Sequence, residues 1–208
     1  AEEGSKLLRL QTNLSNSQLS LLSNLELIFV ADPIQHLDST RMVLTDETYK
    51  PLSGYSFKRD TSNKKITVVY PWAENTSYHL LLDSTFATDT SGRRLPRADT
   101  IAFQTKRTSE YGLIRLRFRG LPLDQHPVLQ FVQGDAVKYS YVLTSDVFYA
   151  KLFEPGEYEL RLVYDENENG EWDTGQFFGE HRQPEKVQLI NKKITVRANW
   201  DNETDIQL

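Results

Sequence analysis

The chain has no cysteine, which excludes disulfides, a thiolate nucleophile and Cys-type zinc sites. Methionine occurs once, and ten glycines in 208 residues are few for phosphate-cradling loops. No Gly-x-Ser-x-Gly, Walker-type or dinucleotide-binding pattern occurs. No apolar run approaches the roughly 18 residues of a membrane-spanning helix. Ala1-Glu2-Glu3-Gly4-Ser5 has neither the basic start nor the apolar core of a signal peptide. There is no initiator Met, so the chain is expected to be a processed form or a piece of a longer protein. The net charge is −5 and no basic domain stands out, which argues against nucleic acid as a partner.

What is present points to β structure. Aromatic residues make up 11% of the chain, and such residues suit a pleated, half-buried surface. Short strand-like runs recur between turn signals: 25–29, 65–70, 77–82 and 100–105. Polar residues Lys106 to Glu110 then mark a boundary, expected to join two modules of residues 1–108 and 109–208. After it, Ile114 to Arg119 alternates apolar and basic residues, the mark of a strand with one wet face. Runs at 128–132, 137–143, 147–152 and 158–164 follow, and Asn191-Lys192 reads as the turn of a terminal hairpin. Leucines between Leu14 and Leu25 suggest one short helix or a turn. The fold class expected is all-β, with two tandem sandwiches.

Residues 165–173 read Asp-Glu-Asn-Glu-Asn-Gly-Glu-Trp-Asp. Asp165, Asn167, Asn169 and Asp173 carry side-chain oxygens at alternate positions, and Gly170 stands at the sharp bend. Hard cations such as Ca²⁺ take that spacing. The acidic loop, residues 165–176, is therefore the candidate metal site, with Asp165, Asn167, Asn169, Glu171 and Asp173 as ligands. Its twelfth position is Gln176, not a bidentate Glu, so weak affinity is expected. Further oxygens could come from Glu180, Asp201, Asn202, Glu203 or Asp205. The competing reading is a solvated loop, rich in Asp, Asn and Gly because turns favour them. No other cofactor is implied.

Other constellations have plainer readings. The glutamates show no shared motif of paired catalytic carboxylates, so the chain reads as a non-enzyme. His36, His79, His126 and His181 lack the short spacing of a zinc pair. Arg115, Arg117 and Arg119 form a row that could hold an anionic glycan, or could be the solvent face of an edge or outer strand. Trp72, Trp172 and Trp200 could stack on sugars or plug a sandwich. Asn13, Asn75 and Asn202 begin Asn-x-Ser/Thr triplets, as expected by chance in so polar a chain.

Residues 20–106 resemble the bacterial Ig-like domain of S-layer and other large surface proteins. The resemblance rests on Leu25–Phe29, on Pro71-Trp72-Ala73-Glu74-Asn75-Thr76-Ser77-Tyr78, on Asp89-Thr90-Ser91-Gly92-Arg93-Arg94-Leu95-Pro96 and on Ile101–Thr105. Residues 111–208 resemble the prealbumin-like (transthyretin-like) sandwiches that accompany such domains in exported proteins of Bacteroidetes. Pro155-Gly156-Glu157-Tyr158, the acidic loop and Arg197-Ala198-Asn199-Trp200 carry that match. Asp38-Ser39-Thr40, Asp83-Ser84-Thr85 and Asp99-Thr100-Ile101 look similar to short O-glycan acceptor sites of such proteins. These resemblances imply an extracytoplasmic structural or binding module, in the periplasm or on the cell surface, with a protein or cell-surface glycan as partner. The alternatives are a carbohydrate-binding module or an accessory subunit of an outer-membrane assembly.

Overall fold

The computed structural model describes residues 7–169 and 184–208. The chain divides into two compact units, Ala1–Arg107 and Thr108–Leu208. Each is a pair of β-sheets closed on its own apolar core, so the fold is all-β with sandwich architecture.

Among the described residues the first unit has ten strands. They are β1 (Leu10–Thr12), β2 (Gln18–Leu19), β3 (Leu25–Phe29), β4 (Ile34–Leu37) and β5 (Met42–Asp46), then β6 (Ser56–Arg59), β7 (Lys65–Val69), β8 (Ser77–Leu82), β9 (Ala87–Asp89) and β10 (Asp99–Thr105). One sheet runs β1-β3-β7-β6 and the other β2-β10-β8-β5, with β4 and β9 as a separate pair. Lettered along the chain, with β1 and β2 sharing the first letter, these sheets are A-B-E-D and A-G-F-C. That is the order of an immunoglobulin-like sandwich. Period-two burial builds the core: Leu25, Leu27 and Phe29 of β3 and Ile66 and Val68 of β7 meet Met42 and Leu44 of β5, Tyr78, Leu80 and Leu82 of β8 and Phe103 of β10. Each such side chain contributes about 1.5–3 kcal/mol by leaving water. Residues 14–24, where leucine spacing suggests one short helix or a turn, form turns and β2. Polar side chains hold this segment in another shape: Ser20 Oγ accepts from the nearby Leu22 N–H, and Asn13 clamps the segment's far end by taking the Glu26 N–H and giving its amide to the Asn24 carbonyl.

In the second unit the strands are β11 (Gly112–Arg119), β12 (Pro127–Gln133), β13 (Ala136–Val142), β14 (Val147–Phe153), β15 (Gly156–Tyr164), β16 (Val187–Val196) and β17 (Asp201–Gln207). The sheets are β14-β11-β17 and β13-β12-β15-β16, in letters D-A-G and C-B-E-F, a prealbumin-like arrangement. Ile114, Leu116 and Phe118 face Leu129, Phe131, Leu160 and Leu162 across the core. Phe131 is its hub, with the rings of Phe148, Phe153 and Tyr158 centred within 5.7 Å.

Two sequence expectations need correction. Residues 187–196 form one strand, not a hairpin: Glu159 and Leu160 pair with Lys193 and Ile190, so Asn191 and Lys192 are absorbed as a bulge. The arginine row is on a solvent face, as expected, but not on an edge strand, because β11 is the middle of its sheet.

Candidate functional site: the acidic loop and its neighbours

β15 and β16 are antiparallel neighbours, and their connection is the acidic loop. Tyr158, Leu160, Leu162 and Tyr164 are buried along β15 and deliver the chain to Asp165, which is 2% exposed. The Asp165 N–H donates to the His126 carbonyl (3.2 Å). Its Oδ1 accepts the Asn169 N–H at 3.2 Å, and Asn167 Oδ1 accepts the same N–H at 3.0 Å. Two candidate ligand oxygens therefore accept from one amide. Glu168 sits at φ 59° and faces His126, Oε1 to Nε2 3.2 Å. On the return, Glu185 is 7% exposed and its Oε1 accepts the Glu166 N–H at 3.0 Å. The Tyr164 hydroxyl lies 2.6 Å from Gln188 Oε1, and Lys186 covers its ring. Burial pushes the Tyr164 hydroxyl pKa up.

Asp165, Asn167 and Asn169 are thus brought into one turn, while Glu171, Asp173, Gln176 and Glu180 lie outside the described residues. Among the described residues no three His, Asp or Glu side chains form a cluster able to hold a metal. Three of the supplementary ligands expected at the C-terminus, Asn202, Glu203 and Asp205, are committed elsewhere. Glu203 bonds Arg115 (2.8 Å) and Arg117 (2.9 Å), and Asp205 pairs with Arg117 (3.4 Å) and Arg119 (3.7 Å). Asn202 gives its amide to the carbonyls of Leu113, Arg197 and Trp200. These residues belong to β17, in the sheet opposite the loop's parent strands. Glu185 and His126 were not legible as neck residues, because neither lies in a patterned stretch.

The first unit uses aspartate in a related way. Asp38, Asp46, Asp60, Asp83 and Asp89 each accept a backbone N–H two to five residues ahead, holding a tight turn. Hydroxyls of Thr40, Thr48, Ser62 and Thr85 hold the first four carboxylates below the usual range. Burial pushes the Asp89 carboxyl up, but bonds from the Arg93 backbone and guanidinium and from the Ser91 N–H bring it below that range as well. Arg93 also grips Asp32. Asp38-Ser39-Thr40 and Asp83-Ser84-Thr85 stand on either side of Arg41, which pairs with both aspartates (3.3 and 3.4 Å).

The aromatic candidates separate. Trp72 packs against the first core, edge-on to Tyr70, Tyr78 and Phe103, and its Nε1–H donates to Asn24 Oδ1 at 2.9 Å. It is a plug. Tyr78, at the start of β8, accepts the Ala73 N–H on its hydroxyl at 3.2 Å, in the manner of a tyrosine corner. Trp200 is 60% exposed, with the Arg197 guanidinium 5.9 Å from its ring centre. Trp172 lies outside the described residues. His79 stacks on Tyr49 (centroids 4.2 Å apart), and its Nδ1 lies 3.2 Å from the Asp46 carbonyl. An open groove of about 540 Å³ follows the β15–β16 bulge, and Glu159 is the single carboxylate among its lining residues.

No family model matches the chain. No curated protein matches it either. Among the solved structures similar to it, three match over most of its length. Native alpha-2-macroglobulin from Escherichia coli, spanning domains MG0-NIE-MG1, is 10% identical over 88% of this chain and 70% of its own, with a TM-score of 0.39. The Bacillus anthracis TIE protein is 12% identical over 99% of this chain and 41% of its own, at 0.28. The fibronectin(III)-like modules of Clostridium thermocellum CbhA are 10% identical over 93% of this chain and 95% of theirs, at 0.27. At such scores the likeness decides nothing, and the fold rests on the sheets themselves.

Proposed function

We propose that the chain is a non-enzymatic structural or binding module of a bacterial cell-envelope protein of the Bacteroidetes Ig-like type, extracytoplasmic and belonging to a longer polypeptide. The observation that supports this best is the use of its carboxylates. Those at strand ends hold their own turns, and those on β17 hold arginines. Carboxylates so occupied stiffen loops, and rigid loops on closed sandwiches suit display to a protein or glycan partner. Protease treatment of intact cells tests the address. Digestion of the chain on intact cells, or once the outer membrane alone is opened, is expected, and protection until the inner membrane is opened would contradict it.

The acidic loop is proposed as the place where Ca²⁺ binds weakly, through Asp165, Asn167, Asn169, the Glu171 carbonyl and Asp173. The convergence of Asp165 and Asn167 on one amide supports this. Melting the wild type and an Asp165→Ala/Asp173→Ala double variant across millimolar Ca²⁺ decides it. A rise confined to the wild type is expected, and an unchanged wild-type melting temperature would remove the site.

A further inference from the structure

We infer that the second unit is built to carry tension along the polypeptide, through the pairing of its first and last strands. β11 and β17 lie side by side and parallel, in unbroken register from Leu113 opposite Asp201 to Arg119 opposite Gln207. The ladder is closed at both ends, by Leu113 N–H to the Trp200 carbonyl (3.0 Å) and by Leu208 N–H to the Arg119 carbonyl (3.2 Å). Pull on the polypeptide entering at Gly112 is applied at one end of this ladder, and pull on the polypeptide leaving at Gln207 is applied at the other. Every inter-strand hydrogen bond is then loaded together, in shear. Strands pulled from the same end would instead unzip, each bond breaking in turn.

Side chains oppose sliding as well. A slip of one residue would turn Ile206, buried in the core, out to water. Escape therefore needs a slip of two, roughly 7 Å. That slip would pull Arg115 off Glu203 and Arg117 off Asp205, and only after two residues of travel would Arg117 stand opposite Glu203 and Arg119 opposite Asp205, so the ion pairs oppose the start of sliding. The first unit repeats the geometry in miniature: β2 pairs parallel with β10 over Gln18–Gln104 and Leu19–Thr105. Resistance to force rests on the reading that the chain belongs to a longer polypeptide, but it goes beyond loop display, because it depends on β11 and β17 and not on any partner.

Single-molecule pulling of the full chain tests this, since forced unfolding reads the unfolding barrier directly. With no native cysteine, two introduced ones are unique handles. In the shear arm they replace exposed Ser109 and follow Leu208 as an added residue. In the peeling arm the first moves to exposed Leu123, or to Gln125 should Leu123→Cys lower the melting temperature. A several-fold higher rupture force in the shear arm is expected, with a further drop confined to that arm in Glu203→Gln/Asp205→Asn. Equal rupture forces in the two arms would overturn the inference, and an unchanged shear force in the double variant would remove the ion pairs from it.

Discussion

In the first unit the ionisable groups that shape the structure are aspartates at strand ends, whereas in the second they are tyrosines in and beside the core and arginines on its outer face. The first unit has short strands joined by tight turns, so it stabilises corners, and one carboxylate can satisfy several backbone N–H groups at a corner. The second has longer strands and fewer corners. Its stability comes from ring packing around Phe131 and from the ladder that joins β11 to β17. Two sandwiches of similar size therefore place their polar chemistry at different levels of structure, turn against sheet.

The sharpest way to break this comparison is in the cores. Phe131→Ala should cost about 3–5 kcal/mol by urea unfolding. Leu80→Ala in the first core should cost about 2–5 kcal/mol. Next is Asp89→Ala, which strands the Ser91 and Arg93 N–H groups and leaves Arg93 without its 2.6 Å partner. A loss of about 1–3 kcal/mol is expected, confined to the first unit.

The pH dependence should divide in the same way. The lowered carboxylates Asp38, Asp46, Asp60, Asp83 and Asp89 stabilise the first unit above their unfolded values. That stability is lost as pH falls below about 4, through the folded values. Tyr139, Tyr141, Tyr158 and Tyr164 are raised chiefly by burial. Their contribution is full below the unfolded value and is lost as pH rises beyond about 10. Amide exchange followed across pH should therefore show the first unit failing first in acid and the second in alkali, and the same order at both extremes would refute the division. Smallest is Arg117→Ala, held by Glu203 and Asp205, which also raise its pKa, and exposed to solvent. It should lower the melting temperature only slightly, an effect diminished by salt.

Much of the scaffold was legible in the sequence because period-two burial is a strong signal where the inward residues are large. Ile114, Leu116 and Phe118 alternating with three arginines could be little else than a strand. β17 carries the same alternation, but its inward residues are Asn202, Thr204 and Ile206, so one large apolar side chain had to signal a whole strand. In the sequence its carboxylates look like spare metal ligands because their arginine partners lie almost ninety residues away. The Asn191-Lys192 turn signal was real as local chemistry, yet β15 continues beside it and draws the chain into one bulged strand. For the site, the alternate oxygens of Asp165 and Asn167 were visible, whereas the buried neck made with His126 and Glu185 depends on tertiary contacts.

Each half of this molecule is held to close around a core of its own, and residue-resolved hydrogen exchange of the full chain, wild type beside Phe131→Ala, tests that most directly. Protection should fall along 112–119, 127–133 and 156–164, while the amides of 25–29 and 77–82 keep wild-type rates. Equal loss in both sets would show a single cooperative structure and contradict the account.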